Sequence, residues 1–147
     1  DTIKFYGGER YANQITNAII RSRDKGEIKT TDQLVEIIKL STPASYRNGR
    51  IHPATKTFQA LRIAVNDELG ALKDFLSKIQ KYSKEGTRIA IISFHSLEDR
   101  IVKNTFRDWE KEGVGKRMNK KPITATEEEV SSNPRSRSAK LRTFEIK

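Results

Sequence analysis

Apolar positions recur at helical spacing through the first half of the chain, and the period changes in the second half. From Glu9 onward, Tyr11, Ile15, Ala18 and Ile19 fall three or four residues apart, which predicts an amphipathic helix with Gly26 as a stop. Thr30 followed by Gln33 reads as a capping box opening a second helix that carries Leu34, Ile37 and Ile38. The stretch STPASYRNGR (Ser41 to Arg50) is a turn-rich connection holding Pro43, Asn48 and Gly49. The longest stripe follows: Phe58, Leu61, Val65, Leu69, Leu72, Leu76 and Ile79 predict one helix from about Pro53 to Tyr82. Gly70 is the expected place for a kink or division, because glycine weakens a helix interior by ~1 kcal/mol.

GTRIAIISF (Gly86 to Phe94) is a nearly continuous β-branched run, the pattern of a strand covered on both faces, as in a parallel sheet. Ser96 with Asp99 reads as a capping box, and Leu97, Ile101, Thr105 and Trp109 mark a helix that Gly113 and Gly115 end. A polar, basic stretch with KRMNKK (Lys116 to Lys121) comes next. Thr126 with Glu129 then predicts a short capped helix, and KLRTFEIK (Lys140 to Lys147) a last strand. Apart from a few residues around Ile123, no further strand is visible. A two-stranded pair is marginal in water, so this arrangement predicts membership of a larger α/β sheet.

Composition changes the picture in one direction. Lys and Arg number 29 against 19 Asp and Glu, for a formal net charge of +10. Such an excess favours a polyanionic partner, usually nucleic acid, since each neutralised phosphate releases condensed counterions; a merely basic surface is the plainer alternative. The chain has no cysteine, which excludes disulfides and thiolate metal sites. No apolar run approaches a membrane span and no signal peptide opens the chain, so a cytoplasmic protein with no membrane partner is the default expectation. The first residue is Asp1 and the one methionine is Met118, so Asp1 is expected to be a processed end or the edge of a fragment.

RIHPATKTFQALRIAVNDEL (Arg50 to Leu69), ISFHSLEDRIVK (Ile92 to Lys103) and NPRSRSAKLR (Asn133 to Arg142) resemble, in order, the signature blocks of the MraW family, S-adenosylmethionine-dependent ribosomal RNA small-subunit methyltransferases. The resemblance runs from YGGERYANQITNAI (Tyr6 to Ile19) to the last strand. It implies an α/β fold: the C-terminal half of a Rossmann-like methyltransferase sheet plus a helical insertion. Residues 1–50 would be most of the substrate-recognition insertion and 51–147 the C-terminal part of the methyltransferase domain. The implied activity is methylation of the exocyclic amine of a cytidine in small-subunit (16S) rRNA, with S-adenosylmethionine as cofactor. The family's glycine-rich cofactor loop, acidic ribose-binding position and amine-holding motif are expected ahead of Asp1. The N-terminal cofactor-binding strands are therefore expected to be absent, and no cofactor-binding residue is assigned here. The chain alone is expected to be inactive. Attack of an amine on a sulfonium methyl needs no covalent intermediate and no metal, so catalysis would rest on positioning and desolvation of an unstacked base.

Ligands of open α/β sheets sit beyond the carboxyl ends of the strands, which singles out Ser93, Phe94, His95 and Ser96. His95 and Ser96 are the catalytic candidates, on the wall of a cytidine pocket; the competing reading is a capped turn, with Ser96 as N-cap and Phe94 in the core. His95 is expected to be exposed beside the active site. The Ser/His/Asp types of SFHSLED crowd a single turn without a nucleophile elbow, so a hydrolase is excluded, and His52 and His95 share no metal-ligand spacing. Arg50, His52, Lys56, Arg62 and Asn66 point either to RNA and the active-site cleft or to a solvated face with a buried polar tie. Arg135, Arg137 and Lys140 have the same two readings, RNA contact or internal pairing with Glu98, Asp99 or Glu127 to Glu129. NPRSRSAKLR leads directly into a strand, so it is expected to be ordered. The partners expected are small-subunit rRNA and the small ribosomal subunit, with a homodimer left open. A non-catalytic basic RNA-binding module is the alternative function.

Overall fold

A computed structural model describes residues 1–147, and they form two compact units, Asp1–Glu68 and Leu69–Lys147. The first unit is helical: α1 (Thr2–Gly7), α2 (Ala12–Arg23), α3 (Thr31–Ser41), the single turn α4 (Ala44–Arg47) and α5 (Thr55–Asn66). The spacing of Ile15, Leu34 and Ile38 turns these residues inward, where they join Ile3, Ala12 and Ala54, with Phe58 packed against the cluster. The Thr30–Gln33 capping box forms as expected. Helix α1 lies so close to α5 that a Cβ at Gly7 would stand 2.5 Å from the Lys56 carbonyl oxygen.

The stripe expected to be one helix from Pro53 to Tyr82 is two. Asp67 takes a left-handed conformation (φ 45°) and ends α5, and α6 (Glu68–Ile79) starts on the next residue. Gly70 lies inside α6 and divides nothing. The short polar side chain of an aspartate tolerates that conformation. The break leaves Val65, a member of the predicted stripe, exposed.

The second unit holds α6 from Leu69 onward, β1 (Arg88–Ser93), α7 (Ser96–Lys111), β2 (Gly115–Arg117), β3 (Ile123–Thr124), α8 (Glu127–Ser132), a 3-10 helix (Pro134–Ser138) and β4 (Lys140–Ile146). Thr126 caps α8 through the Glu129 amide, as expected. Strand β4 is central: β1 runs antiparallel along one edge, β2 and β3 antiparallel along the other. Gly113 (φ 78°) turns the chain out of α7. Strand β2 then enters so tightly that a Cβ at Gly115 would lie 2.1 Å from the Glu145 carbonyl oxygen.

In the register Ile89↔Phe144 and Ile91↔Arg142, one sheet face presents Ile89, Ile91, Phe144 and Ile146 to Val102, Phe106 and Trp109 of α7 and to Leu76 of α6. Phe106, Trp109 and Phe144 meet ring to ring with centroids 5.2–5.6 Å apart. The expected two-face burial of Arg88–Ser93 is corrected here. Alternate residues Arg88, Ala90 and Ile92 are exposed, Ile92 by 57%. The strand pairs antiparallel, and its second edge carries no strand. A helix layer on one face only requires period-two burial, whatever the run of β-branched residues suggests. The open face carries the cross-strand row Arg88, Glu145 and Lys116, ion-paired at 2.9 and 3.1 Å, and an apolar row of Ile92, Leu141 and Ile123. The α/β class stands, as a small antiparallel sheet with helices.

Candidate functional site

Strand β1 delivers the turn Ser93–Ser96 to the start of α7, and that turn is closed on itself. His95, not Ser96, is the N-cap: its Nδ1 accepts the Glu98 amide at 3.3 Å. The Glu98 carboxylate reaches back and accepts the amides of Phe94 (2.9 Å) and His95 (3.3 Å), completing a capping box. The expected Ser96–Asp99 box is shifted by one residue, because β1 ends at Ser93 and helical geometry begins at Ser96. An imidazole nitrogen serves here as the acceptor that Ser or Asn usually supplies.

His95 is consequently not the exposed residue expected. Its side chain is 6% exposed, and Nε2 faces a Glu98 oxygen at 3.4 Å. With its Nδ1 lone pair committed to the cap, His95 fixes the turn. Phe94, expected in the core, is half exposed and projects from the turn. The Ser93 hydroxyl is buried at the carboxyl end of β1, with no hydrogen-bond partner in the protein.

Asp99, freed from capping, anchors a charged cluster. Arg142 of β4 grips both its oxygens, with Nε at 2.7 Å and an NH2 nitrogen at 3.3 Å, and Lys140 Nζ lies 3.6 Å away. Burial alone would raise the Asp99 carboxyl, but the hydrogen bonds and charges of Arg142 and Lys140 hold it below the ordinary range. Arg142 was missed as a functional position; only its place in an alternating strand next to a basic block could have marked it. Of the basic residues in that block, Lys140 is drawn partly inward. Arg135 and Arg137 are exposed on the 3-10 helix and make no ion pair within 4 Å, so the internal pairing with Asp99 falls to Arg142. Because β1 ends opposite Lys140, the 93–96 turn, Lys140 and the 3-10 helix that runs into β4 gather at one end of the sheet.

In the first unit, Arg50 is exposed, and the exposed His52 uses Nδ1 to accept the Ala54 amide at 3.3 Å. Lys56 donates to the Gly8 carbonyl at 3.2 Å, tying α5 to the end of α1. Arg62 makes a two-pronged ion pair with Glu68 at 2.6 and 3.1 Å across the break at Asp67, while Asn66 is exposed at the end of α5. A second polar cluster went unnoticed in the sequence. The buried Glu9 carboxylate accepts the Tyr46 hydroxyl and, at 2.8 Å, the Tyr11 amide; Arg10 lies over both rings. Burial first, and then the bond to Glu9, push the Tyr46 hydroxyl up to about 12.

The glycine-rich cofactor loop that the resemblance implies would need glycine backbone open to close approach. The β1–α7 turn has no glycine, and its Phe94, His95 and Glu98 amides are already bonded within the turn. This turn is therefore not the glycine-rich cofactor loop that the resemblance places ahead of Asp1.

The sequence profile described as the MraW methylase family matches residues 1–147. Relatives named ribosomal RNA small subunit methyltransferase H include that of Coprothermobacter proteolyticus, 51% identical over 98% of this chain and 47% of its own length. Those of Synechocystis sp. (53% identical; 93% of this chain, 43% of the relative) and Trichormus variabilis (54%; 97% and 45%) are similar. The chain thus spans about half the length of the curated relatives it matches. With the family profile matching from the first residue to the last, the chain belongs to the MraW methylase family.

Proposed function

We propose that these residues are the substrate-facing, C-terminal part of a protein that methylates a cytidine of small-subunit rRNA at its exocyclic amine, using S-adenosylmethionine bound by residues outside this chain. The observation that carries the reading is the match of the whole chain to relatives named for small-subunit rRNA methylation, at about half their length. The open edge of β1 supports a sheet that continues beyond these residues, and the exposed Ile92 supports a further layer over its open face. A non-catalytic RNA-binding module would need the arginines but has no use for such an edge.

In this reading, residues 1–50 are most of the substrate-recognition insertion and 51–147 belong to the methyltransferase domain; Arg50, at the junction, together with His52, Lys56 and Asn66, meets RNA from the first unit. In the second unit the 93–96 turn, stiffened by the His95–Glu98 cap, forms a pocket wall, with the exposed Ser96 as its polar contact and the buried Ser93 behind it. Phe94 offers a stacking surface for an unstacked base. Arg135 and Arg137, unpaired within the unit, contact phosphate, and Lys140 shares its charge between Asp99 and the RNA. Arg62 orients Glu68 and contributes charge rather than a direct bond. The setting is cytoplasmic, on the small ribosomal subunit; no helix is long and apolar enough to cross a membrane.

The test is methyl incorporation from radiolabelled S-adenosylmethionine into unmodified small subunits by the full-length polypeptide, followed by digestion to nucleosides. Label in N4-methylcytidine is expected. Label on another base, or none, overturns the proposal.

A further inference from the structure

The second edge of the sheet is interrupted in a way that exposes two lysines on a fixed backbone. Strands β2 and β3 run in the same direction along β4, with Arg117 opposite Phe144 and Ile123 opposite Leu141. Between these pairs the five residues Met118 to Pro122 stand against only two of β4, Arg142 and Thr143. The excess forms a wide bulge, a device that re-aims side chains at a sheet edge.

The bulge is not left to solvent. Asn119 Oδ1 accepts the Thr143 amide (2.9 Å) and hydroxyl (2.6 Å), taking the place of the missing strand backbone. Its Nδ2 donates to the Lys121 carbonyl (2.6 Å) and the Leu141 carbonyl (3.3 Å). Arg142, itself 6% exposed, donates to the Lys120 carbonyl at 3.4 Å while it grips Asp99 of α7. One side-chain network therefore holds the bulge backbone and the first turn of α7 together.

The charges differ in the same stretch. Lys116 pairs with Glu145 and Arg117 with Glu110. Lys120 and Lys121 are exposed and form no ion pair within 4 Å, Lys120 acting on Glu110 only through space. A bulge that merely blunted the edge would need a charge but not a backbone held from both sides. We infer that the Met118–Pro122 bulge is a preorganised phosphate-contact element, in which Asn119 and Arg142 are positioning residues that present Lys120 and Lys121 to an RNA backbone. This rests on the reading of the chain as RNA-facing.

The test is binding of the chain to small-subunit rRNA over a series of salt concentrations. Each lost phosphate contact lowers the slope of log K against log salt by about 0.7–0.9. K120Q/K121Q is expected to lower it by about 1.4–1.8, roughly a 25- to 60-fold loss of affinity at 0.1 M salt. K81Q/K84Q, which removes two exposed lysines elsewhere in the unit, should leave the slope unchanged. N119A should weaken binding several-fold in the parent chain and have little effect in the K120Q/K121Q background. A parent slope retained by K120Q/K121Q, while R135A/R137A lowers it, overturns the bulge proposal alone. If the parent chain shows no salt-dependent binding, the RNA-facing reading falls with it.

Discussion

Replacing Arg142 by methionine removes a guanidinium from a nearly closed site and strands its carboxylate. Asp99 and Arg142 are 9% and 6% exposed, and their contact is two-pronged. Removing one member of such a pair typically costs about 3–5 kcal/mol, much of it the burial of the charge left behind. Lys140, 3.6 Å from Asp99 and 40% exposed along its side chain, stays to offset part of that charge. Methionine keeps most of the packing volume, so R142M is expected near the lower end, at ~3 kcal/mol. The chain has one tryptophan, Trp109, in the core of the same unit, so its fluorescence during urea unfolding reads this unit. With a urea slope of about 1–2 kcal/mol/M for a unit this small, the midpoint should fall by ~1.5–3 M. The double variant D99L/R142M removes both charges and should lie within about 1 kcal/mol of the parent. Acid supplies a second check. The folded Asp99 carboxyl is held below its ordinary value of 3.8, so its contribution is complete above that pH and is lost as pH falls through the lowered value. The gap between R142M and the parent should therefore narrow in acid. A cost below about 1 kcal/mol for R142M, or a double variant as unstable as the single, would refute the reasoning.

Two further predictions concern single groups. H95A should lose about 1 kcal/mol in the same Trp109 assay, while H95N, which keeps a capping acceptor, should recover most of it; equal losses in both would remove the cap as the role of His95. In the first unit, ultraviolet difference titration should show one tyrosine ionising late, near 12, and Y46F should abolish that phase. Because this folded value is raised, the Tyr46 contribution is present below pH 10 and is lost as pH rises through about 12. A Y46F titration indistinguishable from the parent's would contradict the Glu9–Tyr46 bond.

What was legible in the sequence was periodic and local. Thr30–Gln33 and Thr126 capped as their spacing required, and KLRTFEIK and the residues at Ile123 became strands. Positions set by distant partners were not legible. Asp99 has the spacing of a capping residue, but Arg142, far along the chain, holds it, and the cap passed to His95. The helix stripe crossed Asp67 unbroken because an apolar period carries no mark of a left-handed residue. One-sided burial of β1 was hidden because isoleucine serves on both covered and open faces. Asn119 gave no sign at all: an asparagine between lysines reads as loop, and its function depends on β4 lying opposite.

In the proposed function these residues face the RNA and the methyl donor is held by others. The most direct measurement is methyl transfer from radiolabelled S-adenosylmethionine to unmodified small ribosomal subunits by this chain alone, alongside its binding to the same RNA. The proposed function predicts salt-dependent binding with no incorporation. Clear incorporation would place a working cofactor site within these 147 residues and contradict it.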